Sequence, residues 1–349
     1  DLTALDGAPG HEQQVVAYLR DALTPLADTV EVDAMGNLYA IKRGVAPGPR
    51  LMISAHSDEI GGLVRSVDPQ GYLRFGTLGA VSPAMLVGRR VRVRGRLGVI
   101  GVKSVHLQTP EERRTVLLSE QLYIDVGADS AAQVAAMGLR IGDPWVYDSP
   151  LERLGDGDRV TGKAIDNRIG CAVLVQLLRE VQNAPLAGTL CAVACVQEEI
   201  RLRGAQVAAY HLQPDYAVVV DTFMAGDTPD VDYYRELPAR IGQGPVLLVA
   251  NSAHIGHPAV NRYLEQAAGR AGVALQRCTV TSEAVATDAG AIHLSREGVP
   301  TAGLSLARRY SHTPVCILDL NDAVGAVRVL RQFVADMPGH DDLSFFAGA

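Results

Sequence analysis

Apolar and polar positions repeat along the chain with two periods, and the change of period separates three parts. In residues 1–65, Val15, Val16, Leu19 and Leu23 form one apolar stripe at helical spacing. After residue 160, apolar runs of strand length alternate with amphipathic stretches. Strands that alternate with helices favour a mainly parallel sheet sandwiched by helices, an α/β fold.

The pattern places further elements in these two parts. Strands are predicted at residues 29–33, 38–41, 51–55, 190–196, 216–220, 245–250 and 302–306, and helices at 169–181, 260–271 and 321–334.

The middle part, residues 66–159, has a different character. It reads as short strands and turns, at 72–75, 91–94, 97–102 and 122–126, with one helix-like piece near 130–137. We therefore expect residues 66–159 to be a small β-rich domain inserted into an α/β domain formed by residues 1–65 and 160–349.

Composition narrows the possible partners. The chain has 349 residues, 48% of them hydrophobic, with a formal net charge of -7 and 5% aromatic residues. Because we find no run of five or more basic residues, nucleic acid and anionic membrane surfaces are poor partners. No apolar stretch is long enough to span a bilayer.

The cysteines indicate the redox state of the compartment in which the protein is found. Their number is odd, no CxxC pair occurs, and most lie in apolar runs, at positions 171, 191, 195, 278 and 316. Buried free thiols in a reducing cytoplasm are therefore expected. The chain starts at Asp1 rather than Met, so the question whether a segment precedes Asp1 stays open.

Candidate chemistry lies at the ends of the predicted strands. His56, the pair Glu198-Glu199 and Asp221 each follow directly after an apolar run. Asp166 precedes a helix, and His312 follows the strand at 302–306. Because ligands bind at the carboxyl ends of parallel strands, we expect these side chains to converge on one edge of the sheet.

Most histidines carry no such context. A lone histidine is more often a surface or core residue than a ligand, and this interpretation holds for His11, His106, His211, His254, His257, His293 and His340, less firmly for His106 and His257. His56 differs because Asp58, two residues on, can accept a hydrogen bond from its ring and fix the tautomer.

The converging set has the donors that a pair of divalent cations requires. A carboxylate can bridge two cations whereas an imidazole cannot, so Asp166 is the predicted shared ligand. His56 and Asp221 would complete one position, and Glu199 and His312 the other. Glu198 would then serve as general base. Nitrogen and oxygen donors without thiolates suit Zn²⁺, with Co²⁺ or Mn²⁺ as alternatives.

Six ordered segments resemble the TET-type (tetrahedral) di-metal aminopeptidases, the glutamyl and lysyl aminopeptidase-like members of the co-catalytic zinc exopeptidase clan. They are residues 54–61 (Ser-Ala-His-Ser-Asp-Glu-Ile-Gly), 162–168 (Gly-Lys-Ala-Ile-Asp-Asn-Arg), 197–205, 225–229, 287–291 (Thr-Asp-Ala-Gly-Ala) and 310–314 (Tyr-Ser-His-Thr-Pro).

The resemblance implies the same five ligands, Glu198 as the base and Asp58 as the residue that orients His56. It also implies release of N-terminal residues from short peptides, a PDZ-like insert and assembly as a homododecamer, partly through that insert.

Several positions depart from the family pattern. Arg201 stands where a glycine is usual, Arg308 replaces the Thr of a Thr-Arg pair, and Cys316 replaces a Glu. Residues 283–286 (Glu-Ala-Val-Ala) replace a glycine-rich stretch.

Substrate contacts are predicted for Arg201, Asp288, Arg308 and Arg309. One hypothesis is that Arg201 and Arg308 favour acidic first residues, and solvated surface arginines are the alternative.

Other functions stay open at this point. A related di-metal deacylase or carboxypeptidase would use the same cations, whereas a glycosidase would need a carboxylate pair without them. A non-catalytic assembly protein is the remaining alternative, although a scaffold has no need of clustered buried carboxylates.

Overall fold

The protein is described here from a computed structural model that covers residues 1–280, 285–339 and 341–346. The predictions for Glu283, Ala284 and His340 therefore lie outside the described residues. The strands are β1 (Thr29–Val32), β2 (Leu38–Arg43), β3 (Ala46–His56), β4 (Gly61–Val67), β5 (Leu73–Leu78), β6 (Arg90–Val93), β7 (Arg96–Gly101), β8 (Tyr123–Asp125), β9 (Pro144–Tyr147), β10 (Glu152–Arg153), β11 (Arg159–Gly162), β12 (Ala187–Cys195), β13 (Tyr216–Met224), β14 (Val246–Ala250), β15 (Gln276–Thr279), β16 (Thr301–Arg309) and β17 (Cys316–Asp319). The helices are α1 (Gln13–Leu23), α2 (Ala131–Ala136), α3 (Ile165–Val181), α4 (Arg203–Leu212), α5 (Pro258–Ala271), α6 (Ala289–Ile292) and α7 (Leu320–Asp336).

Within the described part of the chain, eleven strands form one large sheet whose centre is parallel and whose flanks are mainly antiparallel. Its main path runs β1-β2-β12-β3-β13-β16-β17-β11-β10, and β14 and β15 branch from β16. The four strands β12, β3, β13 and β16 are parallel to one another, whereas β2, β17, β11 and β14 pair antiparallel. β14 and β15 also pair parallel. The sheet is thus mixed rather than mainly parallel, while the prediction of an α/β fold with a large sheet is confirmed.

Burial on both faces explains why the central strands read as continuous apolar runs. Along β3, Leu51, Ile53 and Ala55 face the core that is covered by α1, α3, α5 and α7. Met52 faces the opposite core, which is covered by α4 and α6. A strand between two helix layers needs apolar side chains on both faces.

The insert is a closed barrel of six strands in the order β4-β5-β8-β7-β6-β9, with β9 paired to β4. It has its own apolar core around Trp145, Phe75 and Val91. A PDZ-like fold is not confirmed for this insert. The barrel strands begin at Gly61 and end at Tyr147, and β10 and β11 pair within the large sheet. The predicted boundaries at 66 and 159 stay a prediction.

The five cysteines are buried and free of disulfide bonds, which confirms the expected free thiols. Among the described residues, no helix combines the length and the apolarity that crossing a membrane requires.

Candidate metal centre and active site

His56, the last residue of β3, lies at the centre of the predicted cluster. Its Nε2 atom is 3.3 Å from Oδ1 of Asp166, 3.5 Å from Oδ1 of Asp221 and 3.9 Å from Oε2 of Glu198. The ring is almost wholly buried. Parallel pairing of β3 with β12 and β13 explains the convergence, because it places His56 at the end of β3 and the glutamate pair after β12 at the same edge. Asp221 lies within β13, which continues to Met224 and does not end at Asp221 as the sequence predicted.

Asp166 lies between the two predicted imidazole ligands. Its Oδ1 atom faces His56, and its Oδ2 atom is 3.4 Å from Nε2 of His312. Oδ1 also accepts a hydrogen bond of 2.8 Å from the Thr222 hydroxyl, and Oδ2 accepts one from Arg308. The two carboxylate oxygens therefore serve opposite sides of the cluster, as a bridging ligand requires.

A buried ionic group beneath the cluster joins two of the segments that carry ligands. Glu59, close behind His56 in sequence, accepts hydrogen bonds from Lys163 (2.8 Å) and Arg168 (3.2 Å), which flank Asp166. Arg168 also donates to the carbonyl of Ser57. Paired and hydrogen-bonded charges of this kind hold the two segments in fixed register.

Glu198 and Glu199 follow the end of β12 and point to different parts of the cluster. Glu198 approaches His56, whereas Oε2 of Glu199 lies 3.6 Å from Nε2 of His312. Gln197 before them has a left-handed backbone (φ 56°), which turns the chain out of the strand direction. Adjacent carboxylates thus reach two environments.

Asp58 has a contact that its spacing from His56 does not reveal. Its carboxylate accepts hydrogen bonds from the backbone N–H groups of Glu198 (3.0 Å) and Glu199 (3.1 Å). The distance from its Oδ1 to Nδ1 of His56 is 3.4 Å, and that nitrogen has no hydrogen bond among the described residues. Asp58 therefore fixes the backbone of the glutamate pair at least as directly as it orients the imidazole.

His312 receives a contact from the inserted barrel. Its Nδ1 atom lies 3.2 Å from the carbonyl oxygen of Ala80, just after β5. Because a carbonyl can only accept, this bond places the proton on Nδ1 and leaves the Nε2 lone pair for a cation. Neither Ala80 nor Thr222 was found from the sequence: Ala80 carries no chemical signal, and Thr222 only follows Asp221.

Burial raises the pKa values of three carboxyl groups in the cluster. It raises the pKa of Glu198 well above its usual range, that of Glu199 to about 7, and that of Asp221 as well. The like charges around each group act in the same direction. Ionisation of these carboxyl groups therefore costs free energy, which a bound cation would offset.

For two other groups in the cluster, Asp166 and His56, the neighbouring charges favour the ionised form. Burial opposes ionisation of Asp166, but Arg308 and then the two imidazoles outweigh it and hold its pKa well below the usual range. Burial likewise opposes protonation of His56, but the Glu198 carboxylate, with Asp166 and Asp221, raises its pKa. Asp166 and His56 therefore both favour their charged forms, with Oδ1 and Nε2 3.3 Å apart.

The donor geometry fits divalent cations. His56, Asp166 and Asp221, called here the inner position, offer ligand atoms within 4.8 Å of one another, and so do Asp166, Glu199 and His312, the outer position. Glu198 with His56 and Glu199 forms a third such group. Oε1 of Glu199 is buried without a hydrogen bond among the described residues, as an atom intended for a cation would be.

A cavity of about 570 Å³ opens onto this cluster. Its lining comprises His56, Ala80, Asp166, Glu198, Glu199, Arg201, Leu202, Asp221, Thr222, Phe223, Met224, Val285, Ala286, Thr287, Arg308, Ser311 and His312.

The four predicted substrate contacts separate into two pairs. Arg201 and Arg308 are part of the lining, Arg201 exposed and Arg308 buried. Arg309 instead makes two hydrogen bonds to Asp227, of 2.9 and 2.7 Å, outside the lining. Asp288 is buried outside the lining, and burial raises its pKa to about 7. The structure thus brings the predicted ligands and base together, but only two of the predicted substrate contacts.

The fold is a mixed α/β sheet with a cluster of acidic and imidazole groups at one edge, and comparison with known proteins specifies the family. The family profile described as M42 glutamyl aminopeptidase matches residues 36–329. The chain is 30% identical over 347 residues to the glutamyl aminopeptidase of Lactococcus lactis subsp. cremoris, which covers 96% of this chain and 94% of that protein. It is also 30% identical over 341 residues to the lysyl aminopeptidase of Pyrococcus furiosus, covering 96% and 95%.

The fold agrees with that relationship. The solved TET1 peptidase of Pyrococcus horikoshii, which can assemble into a tetrahedron or a large octahedral shell, superposes with a TM-score of 0.84 at 29% identity, covering 95% of this chain and 97% of that one. The chain therefore belongs to the M42 glutamyl aminopeptidase family, and it is a peptide hydrolase of the aminopeptidase type.

Proposed function

We propose that this protein uses two divalent cations, Zn²⁺ or alternatively Co²⁺ or Mn²⁺, to release N-terminal amino acids from short peptides. The observation that carries the proposal is the shared carboxylate: Asp166 belongs to both the inner and the outer position, and Glu198 lies beside them. His56 and Asp221 would hold one cation, and Glu199 and His312 the other. Such cations, when bound, polarise the scissile carbonyl and acidify water.

Within this scheme Glu198 moves the proton. Its carboxylate lies in the cavity wall and accepts a proton from the attacking water, and then delivers that proton to the leaving amine. The backbone hydrogen bonds from Glu198 and Glu199 to Asp58 keep the glutamate in place meanwhile.

The family relationship supports an aminopeptidase over a carboxypeptidase. The relatives that are 30% identical to this chain include a glutamyl and a lysyl aminopeptidase. A deacylase would instead accept N-blocked substrates. A glycosidase would act without cations, and a chelator would leave its activity unchanged.

Hydrolysis of amino-acid anilides by the metal-stripped protein, with and without added Zn²⁺ or Co²⁺, tests the proposal. We expect turnover only with the cation, and loss of about 10²–10⁴-fold for Glu198→Gln at unchanged cation content. Arg309→Gln provides a control outside the cavity lining. Equal turnover by Glu198→Gln would remove it from the base role, and turnover only of N-acetylated substrates would favour the deacylase.

We further propose assembly as a homododecamer, since a TET1 relative of similar fold forms a tetrahedron. Apolar side chains exposed on the barrel support a role for the insert: Val105, Leu107, Val116 and Leu118 are all more than half exposed. Light scattering during size exclusion should give twelve times the 37.1 kDa chain mass. A mass of one or two chains at micromolar concentration would contradict this assembly.

The unpaired thiols support a cytoplasmic location, because five buried cysteines without a disulfide suit a reducing compartment. Fractionation of producing cells would test it, and recovery outside the cytoplasm would contradict it.

A further inference from the structure

Arg308 is a buried cation in direct contact with the carboxylate that both cation positions share. It belongs to β16 and is only 5% exposed. Nη2 donates to Oδ2 of Asp166, and Nε donates to the Thr222 hydroxyl. Thr222 in turn donates to Oδ1 of Asp166. The guanidinium is thereby fixed in one orientation at the edge of the cluster.

These contacts are unequal for the two oxygens of Asp166. Oδ1, on the side of His56 and the inner position, receives its hydrogen bond from a neutral hydroxyl. Oδ2, on the side of His312 and the outer position, receives its hydrogen bond from a full positive charge. A carboxylate oxygen has a second lone pair, so Oδ2 can still bind a cation, but it must do so beside the guanidinium.

The surrounding charges increase this difference. Each position has one further carboxylate ligand, Asp221 in the inner and Glu199 in the outer one, but the Glu198 carboxylate lies 3.9 Å from the His56 nitrogen of the inner position. All three inner ligands are buried, whereas the His312 side chain of the outer position is 29% exposed. Arg308 cannot relieve the repulsion by losing its proton, because guanidinium stays charged in proteins.

We infer that Arg308 makes the outer cation position the weaker of the two, so that the protein fills the inner position first and the outer one only at higher free cation concentration. This inference rests on the proposed two-cation function and concerns the order of loading rather than the reaction. It gives Arg308 a role at the cation centre, and the substrate contact predicted from the sequence stays a prediction.

Equilibrium dialysis of the metal-stripped, fully assembled protein against Zn²⁺, followed by metal analysis, tests the inference independently of activity. We expect two binding steps per chain whose dissociation constants differ by about tenfold or more. His312→Gln should remove the weak step and leave the tight one. His56→Gln should remove the tight one.

Variants of Arg308 separate the charge from other effects. In Arg308→Gln the affinity of the weak step should increase at least about tenfold, while the affinity of the tight step should change little. Arg308→Lys keeps a cation at this place and should keep the two steps apart. Arg309→Gln removes a neighbouring guanidinium that pairs with Asp227, and it should leave both steps as in the wild type.

Several results would overturn the inference. If the wild type binds two ions with one affinity, the inference is overturned even if every Arg308 variant fails to fold. If that wild-type protein is also active, the proposed function stays intact. An unchanged or weaker second step in folded Arg308→Gln would also contradict it. Absence of any ion bound by the cluster would instead defeat the proposed function and the inference together.

Discussion

Neighbouring side chains with the same chemistry have different roles at this site because their surroundings differ. Glu198 and Glu199 are adjacent, yet the former approaches His56 and the latter His312. Their placement depends on a third carboxylate, Asp58, which accepts hydrogen bonds from both backbone N–H groups. At the scale of the residue, function therefore depends on contacts that sequence spacing alone does not specify.

Asp58→Asn tests the role of Asp58 at the glutamate pair. An amide has one acceptor oxygen, so one of the two backbone N–H groups should lose its partner. We expect turnover to fall by about 10–100-fold, with little change in folding. Steady-state kinetics at measured cation content check this. Asp143→Asn, another buried aspartate but in the barrel, should keep full turnover. Full turnover of Asp58→Asn would show that the two hydrogen bonds are dispensable.

Arg201 is the exposed cation of the cavity lining that is available for an acidic substrate side chain. If it makes this contact, Arg201→Gln should lower the rate on Glu-anilide relative to Leu-anilide by about three- to tenfold. Arg203→Gln, two residues away and outside the lining, is the matched control. An unchanged Glu-to-Leu rate ratio in Arg201→Gln would support a solvated surface arginine instead.

Glu12 provides a pH-dependent test of packing around the glutamate segment. It is buried and accepts hydrogen bonds from the backbone N–H groups of Gly10 and Gln197. Burial and then the Asp58 charge raise its pKa from 4.5 to about 7. The folded protein therefore binds this proton more tightly than the unfolded chain does. The contribution of protonated Glu12 to the free energy of unfolding is full below pH 4.5 and is lost as the pH rises through 7.

Glu12→Gln keeps the shape and removes the ionisation. The variant and the wild type should have similar thermal midpoints near pH 5, and the variant should become the more stable by up to about 3 kcal/mol above pH 7. Thermal unfolding of metal-stripped protein between pH 5 and 8 measures this. A stability difference that does not change with pH would contradict the shifted pKa.

At the scale of the element, the ends of β3 and β12 and the second half of β13 bring the cluster together, and close packing keeps them there. Gly204 in α4 lies against the end of β12: a Cβ atom there would come within 2.2 Å of the Val196 carbonyl oxygen and 2.4 Å of Oδ1 of Asn37. Val196 lies just before the glutamate pair. The approach of α4 to β12 therefore requires glycine at this position.

Gly204→Ala should displace the Val196 carbonyl and with it the glutamate pair. We expect a stability loss of about 1–3 kcal/mol and reduced turnover, measured by thermal unfolding and anilide hydrolysis. Gly269→Ala, in α5 where no atom lies within 4 Å of the added Cβ, should raise stability by about 0.5–1 kcal/mol. Equal effects of the two substitutions would contradict the packing argument.

Sequence patterns predicted the ends of β3 and β12, but neither the end of β13, which continues past Asp221 to Met224, nor the direction of every strand. His56, Glu198 and Asp221 follow apolar runs that burial on both faces requires, so their position at one sheet edge could be inferred. The antiparallel pairing of β17 with β16 could not, because a four-residue strand gives no signal of its direction. Barrel closure joins Gly61 to Val146, and no local pattern specifies a pairing across that separation.

At the scale of the whole molecule, the sheet and the barrel meet at the site. The Ala80 carbonyl after β5 contacts His312, so the insert contributes directly to the outer cation position. The same insert exposes the apolar residues that we propose for assembly. The insert contributes a backbone carbonyl to the site and not an acidic or histidine side chain. The sequence, which shows no acid or histidine cluster in the insert, therefore did not reveal its part in the site.

Charge placed on the insert should weaken assembly. Leu107 is 71% exposed, and Leu107→Glu should lower the assembled mass measured by light scattering because a carboxylate would have to be buried in the contact. Val45 is 81% exposed and lies outside the barrel, so Val45→Glu should leave the mass unchanged. A full-size particle formed by Leu107→Glu would exclude this part of the barrel from the contact.

Anomalous diffraction from crystals grown with Zn²⁺ tests the central claim most directly. We predict two peaks about 3.5–4 Å apart on either side of Asp166, one beside His56 and Asp221 and the other beside Glu199 and His312. The peak beside His312 should have the lower occupancy at limiting Zn²⁺. No peak within coordination distance of Asp166, or peaks only elsewhere on the chain, would contradict the proposed centre.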